Sequence, residues 1–172
     1  MATNRSFAIR PAGPDDLVAV LNVLAEGGAD QGAPVEGALD EATALETRTW
    51  ARMLATEDLT VYLAEVDGEP VGTATLLLMP NLTYDCDPTA IIEAVVVVES
   101  HRNQGIATAV LRRILADAQL AGCNKVQLLS HKRHATDGAH RLYMSLGFIP
   151  EAEGFRLYLG PVPDAVRDAE TP

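Results

Sequence analysis

Cysteine is nearly absent: Cys86 and Cys123 are the two in 172 residues, with no CxxC partner and no metal-type spacing. A disulfide framework is excluded, and both read as small residues in a reducing compartment. Basic residues are also short, 13 Lys and Arg against 24 Asp and Glu, for a formal net charge of −11. A polyanion would meet a surface of its own sign, so no nucleic-acid partner is expected. A cationic amine suits that surface better, although solubility alone accounts for many acidic proteins. No apolar run approaches membrane-spanning length, since Glu93 and Glu99 bracket the longest one. With no apolar leader segment either, the expectation is a cytoplasmic protein without a membrane partner. Internal repeats are missing too, and 172 residues can bury one core without disulfides or metals.

What is present is organised around residues 90–130. Ala90, Ile91 and Ile92, then Ala94, Val95, Val96, Val97 and Val98, are interrupted only by Glu93. So short and β-branched a run predicts a strand buried on both faces. Val110, Leu111, Ile114, Leu115 and Ala118 recur at three- and four-residue steps, predicting an amphipathic helix that ends near Gly122. A second strand follows over 125–129. Between the first strand and the helix lies Arg102-Asn103-Gln104-Gly105-Ile106-Ala107, a glycine-containing turn. A helix start of this kind suits an anion, because its first N–H groups are unpaired and the dipole is positive there. It is neither of the common phosphate loops: no Lys-Ser or Lys-Thr follows Gly105, and the three spaced glycines of a dinucleotide fold are lacking.

In chain order, Phe7 and Ile9 alternate with polar neighbours in a short strand over 6–10, ended by Pro11 and Pro14. Asp15 or Asp16 can cap a helix carrying Leu17, Val20, Leu21 and Leu24, which stops at Gly27-Gly28. Residues 27–39, rich in Gly, Ala and acids, have no period and read as a loop. Helix signals resume at Asp40 and run to about Thr56. A hairpin follows, strands 60–66 and 70–79 around Asp67-Gly68. Beyond the central stretch come a polar loop over 131–137, a short helix over 138–146 closed by Gly147, and strands at 148–149 and 155–159. Residues 161–172 read as a flexible tail. The order predicts an α+β domain over 6–160, with one mixed, mostly antiparallel sheet and helices on both faces.

Two motifs carry a resemblance. Arg102, Gln104-Gly105 and Ala107 resemble the R/Q-x-x-G-x-G/A pyrophosphate loop of the GNAT superfamily of acetyl-CoA-dependent N-acetyltransferases. Ala139-His140-Arg141-Leu142-Tyr143-Met144-Ser145-Leu146-Gly147-Phe148 resembles its A-x-x-[LF]-Y-x-x-x-G-[FY] signature. This version, followed by Phe155-Arg156, is most similar to small-amine and aminoalkylphosphonate acetyltransferases. The resemblance implies the GNAT fold, acetyl-CoA as cosubstrate, no metal, and a primary amine as acceptor, a small molecule rather than a protein. A homodimer is open to such a domain, and a catalytically silent acyl-CoA-binding module is the alternative. It further implies that backbone groups of Val95, Val96 and Val97 pair with the pantetheine arm. Arg102, Asn103, Gln104, Gly105, Ile106, Ala107 and Thr108 would hold the pyrophosphate, and Arg113 could reach a phosphate. One departure stands out: Thr136 occupies the place where many relatives carry an asparagine that contacts coenzyme A.

Two side chains are candidates for the chemistry. Tyr143 inherits by position the role of protonating the departing thiolate, yet it shares a helix face with Ala139, Leu142 and Leu146 and can equally be a packed ring. Glu93, a carboxylate among Ile91, Ile92 and Val95, is expected to be desolvated and so to serve as the base. The other reading is a hydrogen-bonded strand carboxylate without a chemical role. His131-x-x-His134 lacks a third ligand for a metal, and His140 reads as a site residue or as a helix-surface histidine.

Overall fold

Alternating apolar residues and one tight turn build the first half of the sheet. Strands β2 (Leu59–Val66) and β3 (Glu69–Met79) are joined by Asp67 and Gly68, both at positive φ (53° and 85°). That backbone matches the right-handed twist of a two-residue hairpin. The computed structural model describes residues 7–27, 38–131 and 138–160. The loop over 28–37, the asparagine position Thr136, His134 and the 161–172 tail lie outside them. With β1 (Phe7–Pro11), β4 (Thr89–Val97) and β5 (Lys125–Leu128), the strands form one sheet in the order β1-β2-β3-β4-β5. Every neighbouring pair is antiparallel except β4 and β5, which run parallel. The expected α+β architecture, a mixed and mostly antiparallel sheet between helices, is what the chain adopts.

The pleat divides the core between the two faces. On one face Val61 and Leu63 meet Trp50 of α2 (Ala44–Leu54), Val20 of α1 (Leu17–Gly27) and Ala12. On the other, Tyr62, Ala64, Ala74, Leu76, Ala90 and Ile92 meet the stripe Ile106, Val110, Leu111, Ile114 and Ala118 of α3 (Ile106–Leu120). Leu142 and Tyr143 of α4 (Ala139–Ser145), with Leu146 at its C-cap, pack against this second, larger cluster. Tyr62, 2% exposed, sends its hydroxyl to Asp117 Oδ2 at 2.6 Å, while Arg113 Nε donates to the same oxygen at 2.8 Å. Burial, then the bond to Asp117, pushes the Tyr62 phenol far above its ordinary range, so it remains a neutral donor. That bond stitches β2 to α3.

Three expectations need correction. Helix α2 begins at Ala44 rather than Asp40, because Thr43 caps it: the Glu46 N–H donates to Thr43 Oγ1 and the Thr43 N–H donates to Glu46 Oε2. This Thr-x-x-Glu capping box was legible and outranks the weaker signal of Asp40. Residues 148–149 and 155–159 form no strand, and the sheet ends at β5. Phe155, Leu157 and Leu159 alternate as a strand would, but they are 89%, 83% and 95% exposed. Alternation proposes a strand; only a hydrogen-bonded neighbour makes one. Finally, β4 is not buried on both faces throughout: Thr89, Ala90 and Ile92 are, whereas Glu93 is exposed.

At the start of the chain, Arg10 is clamped between two carboxylates. Its guanidinium meets Asp16 at 2.6 and 2.8 Å and Glu65 at 2.7 and 3.3 Å, tying β1 and the turn before α1 to β2. Hydrogen bonds from Arg10 hold the Asp16 carboxyl below the usual carboxylate range; burial opposes this and the Gly13 N–H reinforces it. A carboxyl depressed in the folded state stabilises the fold fully above its unfolded pKa, about 3.9, and loses that contribution as pH falls through the folded pKa. Urea midpoints measured from neutral pH down to about pH 2 are therefore expected to show a shallower acid decline in Asp16→Asn than in wild type. Parallel acid limbs for the two proteins would remove Asp16 from the account.

Candidate active site

The sheet comes apart at one place. The β4–β5 ladder runs Thr89↔Lys125, Ala90↔Val126, Ile91↔Gln127, Ile92↔Leu128 and stops, while β4 continues to Val97. On its other side β4 pairs with β3 at Thr75↔Glu93 and next at Thr73↔Val96, so Ala94 and Val95 together oppose Ala74. Two residues against one is a β-bulge, which bends and twists its strand. Ala94 carries the bend at φ 52°, a left-handed conformation that costs an L-residue about 1–2 kcal/mol. Beyond Ile92 and Leu128 the two strands therefore enclose a gap.

The two candidate side chains belong to opposite faces of the sheet. Glu93 pairs with Thr75, which pairs with Val61, placing the carboxylate on the face of α1 and α2. It is exposed because the apolar cluster on that face has no member on β4. The expected desolvation is absent, and with it the reason for reading Glu93 as a buried base. Tyr143 belongs to the α3 side: half-buried, it packs against that cluster and meets Phe148 edge-on, ring centroids 5.9 Å apart at 71°.

Where β4 ends, the chain turns into α3. Asn103 (φ 59°) and Gly105 (φ 83°) take left-handed conformations, the first tolerated by Asn and the second free for Gly. Gly105 is the N-cap of α3, provides no side-chain cap, and a Cβ built on it would meet nothing within 4 Å. No acid lies in the first turn of this helix, so the N–H groups of Ile106, Ala107 and Thr108 face outward with no intrahelical acceptor. Gln104 Nε2 donates to the Ser100 carbonyl at 3.0 Å and Arg102 Nε to the Val97 carbonyl at 3.1 Å, bracing the turn against the strand end. Val97 thus already has one acceptor in use. Arg113 is not available to a phosphate in the way expected: it is committed to Asp117 and lies 5.8 Å over the Tyr62 ring.

Sequence reasoning passed over two features. Nothing about an alanine announces a left-handed bulge, so Ala94 gave no signal. Ser130, two residues beyond the last β5 ladder position, sits 3.1 Å from His140 Nε2. A cavity of ≈ 350 Å³ lies between α1 and the strand ends at Pro70 and Val98, and none of the expected site residues lines it.

The sheet thus opens at its parallel pair, and an uncapped helix start follows the end of β4. The model of the acetyltransferase (GNAT) family matches residues 31–148. A putative acetyltransferase from Agrobacterium tumefaciens is 35% identical, covering 88% of this chain and 99% of its own, with a TM-score of 0.77. A transcriptional regulator from Bacillus halodurans is 26% identical over 89% of this chain and 99% of its own, TM-score 0.79. An aminoglycoside N-acetyltransferase solved in complex with CoA shares the fold at 18% identity, covering 94% of this chain and 99% of its own, TM-score 0.70. The chain belongs to the GNAT acetyltransferase family, and it is an acyltransferase of that family.

The bulge makes its own prediction. A β-branched side chain tolerates the left-handed region worse than alanine, whereas glycine enters it freely. Ala94→Val is expected to destabilise the protein by about 1–3 kcal/mol, while Ala94→Gly stays within about 1 kcal/mol of wild type. Urea denaturation measures both; equal stability of the two variants would mean the strand does not bend at Ala94.

Proposed function

We infer that this acetyltransferase transfers the acetyl group of acetyl-CoA to a primary amine, a small molecule, by direct attack in a ternary complex. The observation that carries this reading is the gap beyond Ile92↔Leu128, with Glu93 on one face of the sheet and Tyr143 on the side of the other. A thioester threaded into that gap would present its carbonyl carbon to an amine from the Glu93 face and release sulfur toward Tyr143. The free backbone edge of β4 at Val95 and Val96 suits a pantetheine arm laid alongside as an added strand. Of Val97 only what Arg102 leaves unused can contribute. The pyrophosphate falls to the amides of Gly105, Ile106, Ala107 and Thr108, with Asn103 and Gln104 shaping the turn and Arg102 adding charge. The CoA complex of a fold relative supports the choice of cosubstrate. Exposed Asp85 and Asp87 precede the start of β4, beside Asn124 and Cys123 and away from the gap, so they take no part in choosing the acceptor. No step in this scheme calls on a metal.

The energetics assign the roles. Neutralising an alkyl ammonium of pKa about 10.4 at about pH 7 costs roughly 4.6 kcal/mol, so a proton acceptor on the amine side is needed. An exposed Glu93 fits that role best through an intervening water, which relays the proton outward without requiring a buried carboxylate. Proton transfer from a tyrosine of pKa about 10 to a thiolate of parent pKa about 8.5 is uphill by roughly 2 kcal/mol. Tyr143 therefore acts first as a hydrogen-bond donor to the developing charge and delivers its proton late.

Two experiments test this. Gly105→Val places a branched side chain in the open space at φ 83°. Calorimetry is expected to find acetyl-CoA affinity lowered at least about tenfold in a protein that still folds; unchanged affinity would remove the turn from the binding site. Tyr143→Phe keeps the ring against Phe148 and is expected to retain stability and acetyl-CoA affinity while turnover falls roughly 10²–10⁴-fold. Glu93→Gln is expected to lose most activity near neutral pH and to recover partly at high pH, where the free amine is abundant. Thiol release on a panel of amines reads both. Tight binding of acetyl-CoA with no release on any amine would instead describe a silent acyl-CoA-binding module.

A further inference from the structure

Ser130, just past the end of β5 where the ladder to β4 has stopped, and His140 of α4 are brought together from ten positions apart. Leu128 pairs with Ile92, on the α3 face, and Ser130 follows two residues later along the line of β5. His140 lies on α4, three residues before Tyr143, so their side chains share one side of that helix. The hydroxyl of Ser130 and the Nε2 of His140 are 3.1 Å apart and partly buried. Titratable neighbours along the chain are His131, next to Ser130, and Arg141 and Tyr143 on α4. The acetyl-transfer reading gives the pair no role.

We propose that Ser130 is a second hydrogen-bond donor to the leaving sulfur of coenzyme A, and that His140 is the positioning residue that aims it. In the transfer, the N–C bond forms as the C–S bond breaks. One proton leaves nitrogen on the Glu93 side, and one must reach sulfur on the Tyr143 side. With hydrogen on Nε2, His140 donates to Ser130 Oγ and leaves the serine proton free to point into the gap. A lone hydroxyl rotor would have to be ordered at the moment of reaction; one held by an imidazole is ordered beforehand, which is what a donor to developing charge requires. Serine is too weak an acid to surrender its proton, so it stabilises the thiolate until the phenol of Tyr143 delivers one. The overall balance is unchanged: amine and acetyl thioester give amide and thiol.

This inference rests on the acetyl-transfer reading, and its test separates the two. The ionisation of the thiol of bound coenzyme A is followed by the ultraviolet absorption of the thiolate in wild type, Ser130→Ala, His140→Leu and His140→Gln, alongside kcat and acetyl-CoA affinity. Removing a donor to the thiolate is expected to raise the pH of half-ionisation by about one pH unit in Ser130→Ala and in His140→Leu. In both, kcat is expected to fall about 10- to 100-fold while acetyl-CoA affinity stays within about twofold. His140→Gln retains a nitrogen donor and is expected to stay within about threefold of wild-type kcat. Unaltered thiol ionisation in Ser130→Ala overturns the proposal, as does a His140→Gln protein as impaired as His140→Leu. A wild-type protein that fails to bind coenzyme A refutes the acetyl-transfer reading itself. If it binds coenzyme A but turns over no amine, the thiol ionisation alone decides.

Discussion

Everything at the candidate site depends on where one ladder of backbone hydrogen bonds stops. A parallel pair that continued from Ile92↔Leu128 to the end of β4 would close the sheet and leave no room for a substrate. It does not continue, because Ala94 and Val95 share one partner on β3 and the strand leaves the plane there. The left-handed Ala94 is strain of the order of 1–2 kcal/mol held in place by well-paired neighbours on either side. In exchange the edge of β4 beyond Ile92 is left unpaired by β5. The proposed division of labour between Glu93 and Tyr143, on opposite faces of the sheet, depends on that opening.

A strained opening needs a scaffold that does not relax into it. Two polar networks supply stiffness at a distance from the gap. Arg10 holds Asp16 and Glu65, and with them β1 and the approach to α1. Tyr62, Asp117 and Arg113 fasten the inner face of β2 to the outer flank of α3. The tyrosine is the telling member, since a buried hydroxyl without a partner would cost about 1–3 kcal/mol; here the partner is a carboxylate still balanced by an arginine. These bonds lock α3, the helix that starts uncapped at Gly105. Arg113 is thus better used inside the scaffold than as a phosphate ligand.

The sheet and helices were legible because periodicity and turn chemistry are local. Asp67-Gly68 announced its hairpin, and the apolar steps of α3 announced its buried face. The turn over 102–107 was legible for the same reason, its glycine standing where a left-handed residue is required. What was illegible depends on partners distant in sequence. Glu93 looked buried because its neighbours along the chain are apolar, but its exposure is set by a cluster on the opposite strands that stops short of β4. The 155–159 segment had the alternation of a strand and lacked a neighbouring edge. Ser130 is unremarkable in sequence and His140 was open between a site residue and a surface one; the two meet only when α4 folds back beside the end of β5.

Charge raises a final question, since a chain of net charge −11 is asked to hold a strongly anionic cosubstrate. The comparison of two helix starts within the same molecule answers it. Helix α2 satisfies its own first turn with Thr43 and Glu46, placing a carboxylate where an incoming anion would have to sit. Helix α3 begins with Gly105, has no cap and has no acid in its first turn. Distant carboxylates are screened beyond roughly 8 Å at physiological ionic strength, whereas amides in direct contact with an anion are not. Affinity for an anion is then decided by the handful of dipoles that touch it rather than by the net charge of the chain. An acidic surface can repel polyanions and attract cations while one uncapped helix start still favours an anion in contact with it, and the proposed cosubstrate and acceptor make these two demands of the same chain.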